Sequence, residues 1–202
     1  FAEFAECFDI KADKNKLFST LYQKAMEGDK DCGGMIACNY YSGEPVTGLE
    51  EGRPMFLRRP DSHLGLANFM RSHLYASLAT LKIGLDILLK EEDVKIDSIT
   101  GHGGLFKTKG VGQSILAAAM NAPISVMETA GEGGAWGAAL LAGYRVWKDE
   151  NESLNDYLAK KVFSGQKSSV IEPKTEEQEE FTSFMNTFRS GLAVERAAIE
   201  HL

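Results

Sequence analysis

Glycine is concentrated in one part of this 202-residue chain, and no other feature of the sequence constrains the fold as strongly. Nine of the 20 glycines fall within the 37 residues from position 101 to position 137. They are Gly101, Gly103, Gly104, Gly110, Gly112, Gly131, Gly133, Gly134 and Gly137. Glycine is used where the backbone needs a positive φ or must approach another group closely. The crowding therefore indicates turns that residues with side chains could not form.

Each of two glycine clusters follows a predicted strand and precedes a helical pattern. Residues 95–100 predict a strand, a first cluster follows at 101–104, and a helix is expected at about 111–121. Pro123 opens a second predicted strand, a second cluster follows at 131–134, and a helix is expected at about 135–149. This order is typical of an α/β layer whose sheet contains a parallel pair of strands.

The segment before these units is mainly helical in pattern. Residues 1–28 carry apolar side chains at helical spacing, and residues 35–41 predict a short buried strand. Residues 42–53 form a polar loop punctuated by Gly and Pro. Residues 66–90 contain no proline and have apolar residues at three- and four-residue steps, which predicts a long amphipathic helix.

The chain becomes more polar beyond residue 149. Ser153 and Thr175 each begin a capping-box pattern, in which an N-terminal hydroxyl and an acidic or amide side chain three residues later satisfy free backbone N–H groups. We expect residues 151–202 to form accessory helices that pack on the preceding domain or on a partner.

Charge and composition exclude several classes of protein. With 22 basic and 29 acidic residues the net charge is −7, so general attraction to nucleic acid is not expected. There is no run of 18 apolar residues and no signal-peptide pattern, and neither the three cysteines nor the four histidines show zinc-ligand spacing. We expect a reduced cytoplasmic protein without a structural metal or a membrane segment. The start at Phe1 suggests a part of a longer polypeptide.

The two glycine turns predict a ligand-binding crevice. A strand that leads into a helix through such a turn leaves the first N–H groups of the helix unpaired, beside a crevice that suits phosphates and flat rings. At Gly103 and Gly104 a side chain would block the approach of a ligand, and Lys107 could reach an anionic group. The second turn, at residues 130–134, would lie beside the first if the two strands are neighbours. An alternative is that the glycines only let helices pack tightly on strands.

Other motifs and residues give weaker signals. Phe106 and Trp136 break the GxGxxG pattern, and neither GxxxxGK[ST] nor GxSxG is present. His102 is expected to make a local hydrogen bond and Trp136 to lie in the core. Glu128 and Glu132 fit helix caps better than an acid–base pair.

The residues of both turns resemble a known family. GHGGLFKTKGVGQ at residues 101–113 and PISVMETAGEGGAWGAALLA at residues 123–142 resemble the C-terminal domain of FGGY carbohydrate kinases, in particular the xylulokinase- and ribulokinase-like members. The resemblance implies an actin-like, ribonuclease H-like ATPase fold with ATP and sugar bound in a cleft between two such domains. It implies that Gly103 and Gly104 form the adenosine motif and that the turn at residues 131–134 helps to close the adenine pocket.

These expectations define a set of sites and partners. Residues 1–150 are interpreted as the ATP-binding domain, with ATP and Mg²⁺ as cofactors. The ATP-binding residues are Gly103, Gly104, Lys107, Gly131, Glu132 and Gly133. The resemblance implies that the catalytic Asp and most of the sugar pocket belong to an N-terminal domain of the same polypeptide, so no catalytic residue is assigned here. A homodimer of this fragment is a further possibility.

Two functions remain open at this point. The first is half of a kinase that phosphorylates a pentulose or a related sugar and is inactive by itself. The second is an actin-like ATPase domain that acts as a nucleotide-gated interaction module without sugar phosphorylation.

Overall fold

A computed structural model describes residues 1–96, 98–128 and 133–202 of the chain. The described part contains helices α1 to α7 and strands β1 to β5, and the strands form two separate sheets. The predicted α/β character is therefore confirmed, and the sheets can be considered one at a time.

The first sheet is an antiparallel pair near the N-terminus. Strand β1 (Met35–Cys38) lies within the predicted strand at residues 35–41 and is buried along its whole length. Strand β2 (Met55–Arg58), which the sequence pattern did not predict, pairs with it so that Met35 lies opposite Arg58. The predicted N-terminal helix is interrupted. It consists of α1 (Ala2–Glu6) and α2 (Lys14–Ala25).

The second sheet carries the two glycine turns. Strand β3 (Ile99–Gly101) lies parallel to β4 (Ile124–Met127), with Ile99 opposite Ile124. Helix α4 (Val111–Met120) connects them, as the pattern of strand, turn and helix predicted. Strand β5 (Ser168–Ile171), which was not predicted, pairs with β4 in the antiparallel direction. The strand order of this sheet is therefore β3-β4-β5.

Helix α3 (Leu66–Lys90) has the bounds that its apolar spacing predicted. It packs against α2 and β1 from the N-terminal part of the chain and against α4 and the last helix, α7 (Thr175–His201), from the C-terminal part. Its buried residues include Leu74, Tyr75, Leu78 and Ala79. Because one helix contacts elements from both parts, they share a single hydrophobic core.

Helix α7 (Thr175–His201) contributes the largest buried side chains of the core. Phe181, Phe184 and Phe188 are each 1% exposed. The predicted capping box at Thr175 is wrong. The helix begins one residue earlier than that pattern implies, since Lys174 is the N-cap, and within the described chain no side chain caps it. At α6 (Leu154–Tyr157) the predicted cap is confirmed, since Ser153 Oγ accepts from Asp156 N at 3.0 Å.

Helix α5 (Gly133–Trp147) follows the second glycine turn and is packed mainly by the segment after it. The ring of Trp136 meets Phe163 edge-on at 5.6 Å, and Tyr144 meets Tyr157 at 5.4 Å. Leu141 and Val146 remain exposed. Within the described part of the chain, no helix combines the length and the apolar character needed to cross a membrane.

The phenylalanine cluster of α7 predicts a large effect of truncation. Phe184→Ala is expected to lower the free energy of unfolding by about 3–5 kcal/mol, because it removes a fully buried ring and leaves a cavity. Phe18→Ala is the matched control, since Phe18 of α2 is 61% exposed. Urea denaturation followed by circular dichroism measures both. Equal destabilisation by the two substitutions would show that α7 does not pack as described.

Candidate functional site

The first glycine turn presents bare backbone. It follows β3, and Gly103 has φ 103° and ψ −174°, a conformation that residues with side chains rarely adopt. Gly104 then begins a short 3₁₀ turn that ends at Phe106. A Cβ atom placed on Gly103 or Gly104 would meet no described atom within 4 Å. Both α-carbons are therefore open to a molecule that approaches from outside.

The start of α5 lies beside the first turn. Because β3 and β4 are parallel neighbours, their carboxyl ends lie at the same edge of the sheet. A Cβ atom on Gly133, the first residue of α5, would lie 2.8 Å from Cβ of His102. Gly133 thus contacts the first turn directly. The predicted residues Gly131 and Glu132 lie outside the described residues.

The N-terminus of α4 lies at the same edge. Gly110 precedes it with φ 83°, and within the described chain no side chain caps its first N–H groups. A cleft of about 390 Å³ begins here and extends past the end of β4. Its polar lining includes Thr108, Lys109, Lys167 and Ser169. Lys109 and Lys167 outnumber the one carboxylate of the lining, Glu128, and together with the uncapped helix N-terminus they favour an anionic ligand.

Gln113 holds the parts of this cleft together. Its side chain is 4% exposed, and Nε2 donates to the carbonyl oxygens of Ile124 at 2.7 Å and Ser169 at 2.9 Å. Its Oε1 accepts from Ser169 Oγ at 3.1 Å. One side chain therefore ties α4 to both β4 and β5 and fixes the width of the cleft.

A second, apolar cavity of about 390 Å³ lies on the α3 side of the first turn. Leu78, Leu81 and Leu85 of α3 line it together with Leu105 and Phe106. The ring of Phe106 covers Gly101 and also borders the polar cleft. The turn thus separates an apolar cavity, which suits a flat ring, from a polar cleft, which suits phosphate and hydroxyl groups.

The remaining predicted residues have the following positions. Lys107 is exposed, and its backbone N–H donates to the carbonyl oxygen of Gly104 at 3.2 Å, so its side chain begins next to the open glycines. Glu128 is exposed and lines the polar cleft, whereas its suggested partner Glu132 is not described. Trp136 packs on Phe163.

The two buried cysteines do not suit thiol chemistry, and the described residues contain no group of side chains that could hold a metal ion. Burial raises the pKa of the Cys32 and Cys38 thiols to about 12, so both stay protonated and are poor nucleophiles at neutral pH. Among residues 1–96, 98–128 and 133–202, no group of three or more His, Cys, Asp and Glu side chains could hold a metal ion. The chemistry that the site supports is the binding of a polar ligand by backbone and lysines.

Comparison with known proteins decides the family. Residues 2–146 match the FGGY family of carbohydrate kinases, C-terminal domain. The chain belongs to this family. The resemblance expected from the two glycine turns is thereby confirmed, and the FGGY domain includes all the sequence from α1 to α5.

Solved structures show the same fold as the FGGY domain. A ligand-bound xylulose kinase from Lactobacillus acidophilus matches with a TM-score of 0.63 and 20% identity, over 89% of this chain and 35% of its own. Gluconate kinase from the same organism matches with a TM-score of 0.60 and 19% identity, over 88% and 34%. Plasmodium falciparum glycerol kinase with ADP matches with a TM-score of 0.59 and 19% identity, over 96% and 36%. The expected actin-like fold of the FGGY C-terminal type is confirmed.

The matches cover only part of the known kinases and come from the family model and the solved structures. The chain spans about a third of the length of the solved kinases that it matches. No curated protein sequence matches it significantly.

Several residues of the site were not found from the sequence. Thr108 and Lys109 lie between the first cluster and α4. The Lys-Thr-Lys-Gly segment at residues 107–110 could have indicated them, because it places basic side chains next to a glycine turn. Lys167 and Ser169 are more than 50 residues away from that segment, and only the pairing of β5 with β4 brings them into the cleft. Nothing in the local pattern around residue 168 could have placed them there.

The backbone of the first turn predicts a difference between its two glycines. Gly103→Ala is expected to lower the free energy of unfolding by about 1–3 kcal/mol, because Ala is strained at φ 103° even though the space is open. Gly104→Ala is expected to change it by less than about 0.5 kcal/mol, since this position has neither a positive φ nor a close neighbour. Urea denaturation of both variants tests this, and equal effects would contradict the described turn.

Proposed function

We propose that this chain is the ATP-binding half of a carbohydrate kinase that transfers the γ-phosphoryl group of ATP to a hydroxyl group of a pentulose. The observation that carries the proposal is the open backbone at Gly103 and Gly104, at the carboxyl edge of a parallel strand pair. Ligands of open α/β sheets bind at this edge. Membership of the FGGY family supports the same assignment.

The two cavities beside the turn fit the two ends of a nucleotide. The apolar cavity formed with Leu78 and Leu105 suits a purine ring, because flat apolar surfaces are buried there. The polar cleft offers Lys109, Lys167 and the first N–H groups of α4 to phosphate oxygens. Gly103 and Gly104 belong to the same turn as Phe106, which lines both cavities. We infer that a side chain at either glycine would hinder a nucleotide that reaches from one cavity to the other.

The residues present fit ATP better than they fit Mg²⁺. When bound to phosphate oxygens, Mg²⁺ neutralises the charge that develops during phosphoryl transfer. The described residues provide no cluster of acidic side chains for the ion. We propose that its protein ligands, and the base that deprotonates the sugar hydroxyl, belong to a second domain of the same polypeptide.

This division explains why the chain should be inactive by itself. Phosphoryl transfer depends on holding the acceptor hydroxyl in line with the γ-phosphate and on stabilising the charge between them. The described residues form one side of such a cleft. Without the opposite side, neither the acceptor nor its proton is positioned.

The acceptor sugar is proposed from the resemblance to known kinases, whereas the nucleotide is proposed from the residues of the site. The solved neighbours are kinases of xylulose, gluconate and glycerol, whose acceptors share a chain of hydroxylated carbons. We place this chain with the enzymes of pentuloses of the xylulose or ribulose type because the motifs at residues 101–113 and 123–142 resemble theirs.

The nucleotide site can be tested on the chain itself. Titration with ATP and Mg²⁺, followed by ¹H–¹⁵N NMR, is expected to shift the amide signals of Gly103 and Gly104. Gly104→Val is expected to weaken ATP binding at least about tenfold, because its side chain fills the open space beside the backbone. Gly65→Val is the matched control, since Gly65 also lies in open space but on a different part of the surface.

The outcomes of this titration separate the hypotheses. Loss of binding in Gly104→Val but not in Gly65→Val supports the nucleotide slot. If ATP leaves the amide signals of Gly103 and Gly104 unchanged, the alternative hypothesis is favoured, in which these glycines serve packing alone.

The proposed separation of ATP binding and catalysis between two domains gives a second prediction. The complete polypeptide is expected to release ADP when it is given ATP, Mg²⁺ and a pentulose, whereas residues 1–202 alone give no release above background. A coupled ADP assay with a panel of pentuloses and polyols measures both. Turnover of xylulose by the chain alone would refute the division. ATP binding by the complete protein without phosphorylation of any polyol would favour a nucleotide-gated interaction module.

A further inference from the structure

A cavity of about 600 Å³ lies away from the nucleotide site, between the first sheet and α7. Arg58 and Arg59, at the end of β2, form one side, and Asn186, Thr187 and Ser190 of α7 form the other. None of its lining residues lines the polar cleft or the apolar cavity beside Gly103. Its volume is within the range that holds small organic ligands.

The charge of the cavity is opposite to that of the whole chain. The net charge of the chain is −7, yet the described residues that line the cavity include two arginines and no acidic side chain. Arg59 Nε lies 3.2 Å from Asp61 Oδ1, which neutralises part of this charge, whereas no described carboxylate forms an ion pair with Arg58. A residual positive charge in a concave site favours a small anion.

The backbone around Arg59 is held in place by Ser62. The hydroxyl group of Ser62 accepts from Arg59 N at 2.9 Å and donates to the carbonyl oxygen of Gly34 at 3.0 Å. The guanidinium group of Arg59 lies over Gly34, where an added Cβ would come within 3.1 Å of Nη2. These hydrogen bonds fix the backbone from which the Arg59 side chain extends, while the side chain itself is mostly exposed.

The α7 side of the cavity supplies polar atoms suited to hydroxyl groups. Ser190 Oγ donates to the carbonyl oxygen of Asn186 at 3.1 Å, and Thr187 Oγ1 donates to that of Ser183 at 3.4 Å. Because their protons are directed to the helix backbone, these oxygens remain available as acceptors. The Asn186 amide adds both donor and acceptor capacity.

The floor of the cavity is apolar and depends on one glycine. Ile36, Leu57 and Val194 line it. Gly191 lets α7 approach β1 closely, since an added Cβ would lie 3.0 Å from Ile36 Cδ1. The carbon chain of a small ligand would contact this floor while its polar groups face the arginines and α7.

We propose that this cavity binds a phosphomonoester of a small polyol, separately from the nucleotide site. The arginine side provides the planar, charge-assisted donors that recognise phosphate oxygens. The α7 side provides acceptors for hydroxyl groups, and the floor accommodates the carbon chain. Binding of an extended polyanion depends on many phosphate contacts, and two arginines offer few, so nucleic acid is not the expected ligand.

The test uses glycerol 3-phosphate as the probe and isothermal titration calorimetry as the measurement. Arg58→Gln removes one guanidinium group, and Ser190→Phe fills the cavity from an exposed helix position without a change of charge. Each is expected to weaken binding at least about tenfold, since a charge-assisted contact or the cavity itself is lost. Arg145→Gln on α5 removes the same charge elsewhere and is expected to leave binding unchanged.

Three comparisons decide the result. The proposal is supported if glycerol binds more weakly than glycerol 3-phosphate. It also requires that glycerol 3-phosphate, titrated in ¹H–¹⁵N NMR, shifts the amide signals of Gly34 and Gly191 and not those of Gly103 and Gly104. Inorganic phosphate that binds as tightly as glycerol 3-phosphate would overturn the assignment to a polyol ester. Absence of binding at millimolar concentration, or equal binding by all variants, would overturn the site. ATP titrated in parallel reports the nucleotide slot independently.

Discussion

The burial of α3 is the constraint on which the rest of the structure depends. This helix contacts α2 and β1 as well as α4 and α7, so it fixes the first sheet and α4 relative to α7, and α4 in turn packs on β4 of the second sheet. Polar groups at two points of α3 reinforce this arrangement. Arg71 forms an ion pair with Glu180 and donates to Tyr75 Oη at 2.7 Å. A mostly buried ion pair is costly to break, because removing one partner leaves a charge without compensation.

The second point of contact lies near the end of α3. Asp86 accepts from Lys82 at 2.7 Å and from Arg189 of α7 at 3.2 Å. Burial opposes ionisation of Asp86, but its hydrogen bonds and ion pairs with Lys82 and Lys90 keep its pKa below the usual value. The carboxylate therefore stays charged at neutral pH and keeps α7 aligned with α3. This alignment places the outer face of α7 beside β2, where the arginine-lined cavity forms.

The features that the sequence predicted are those set by local pattern. Helix α3 was predicted because residues 66–90 repeat apolar side chains at helical spacing, and β4 because an apolar segment follows Pro123. Strand β5 was missed because Ser168 and Ser169 are polar and exposed, and only pairing with β4 makes them a strand. For the same reason Gln113 gave no signal of its structural role. Its partners Ile124 and Ser169 are fixed by tertiary contacts, 11 and 56 residues away.

The glycines themselves show why packing and binding were hard to separate from sequence. At Gly101 an added Cβ would overlap the ring of Phe106, and at Gly112 it would lie 2.6 Å from Leu105 Cγ, so packing accounts for both. At Gly103 the φ of 103° itself favours glycine, whereas at Gly104 the φ is not positive and an added Cβ would meet no described atom within 4 Å. Adjacent positions in one motif thus serve different purposes, although the same residue fills both. Packing accounts for glycine at Gly101 and Gly112, and a positive φ accounts for it at Gly103. Neither accounts for Gly104, and this is the position on which the proposed nucleotide site depends.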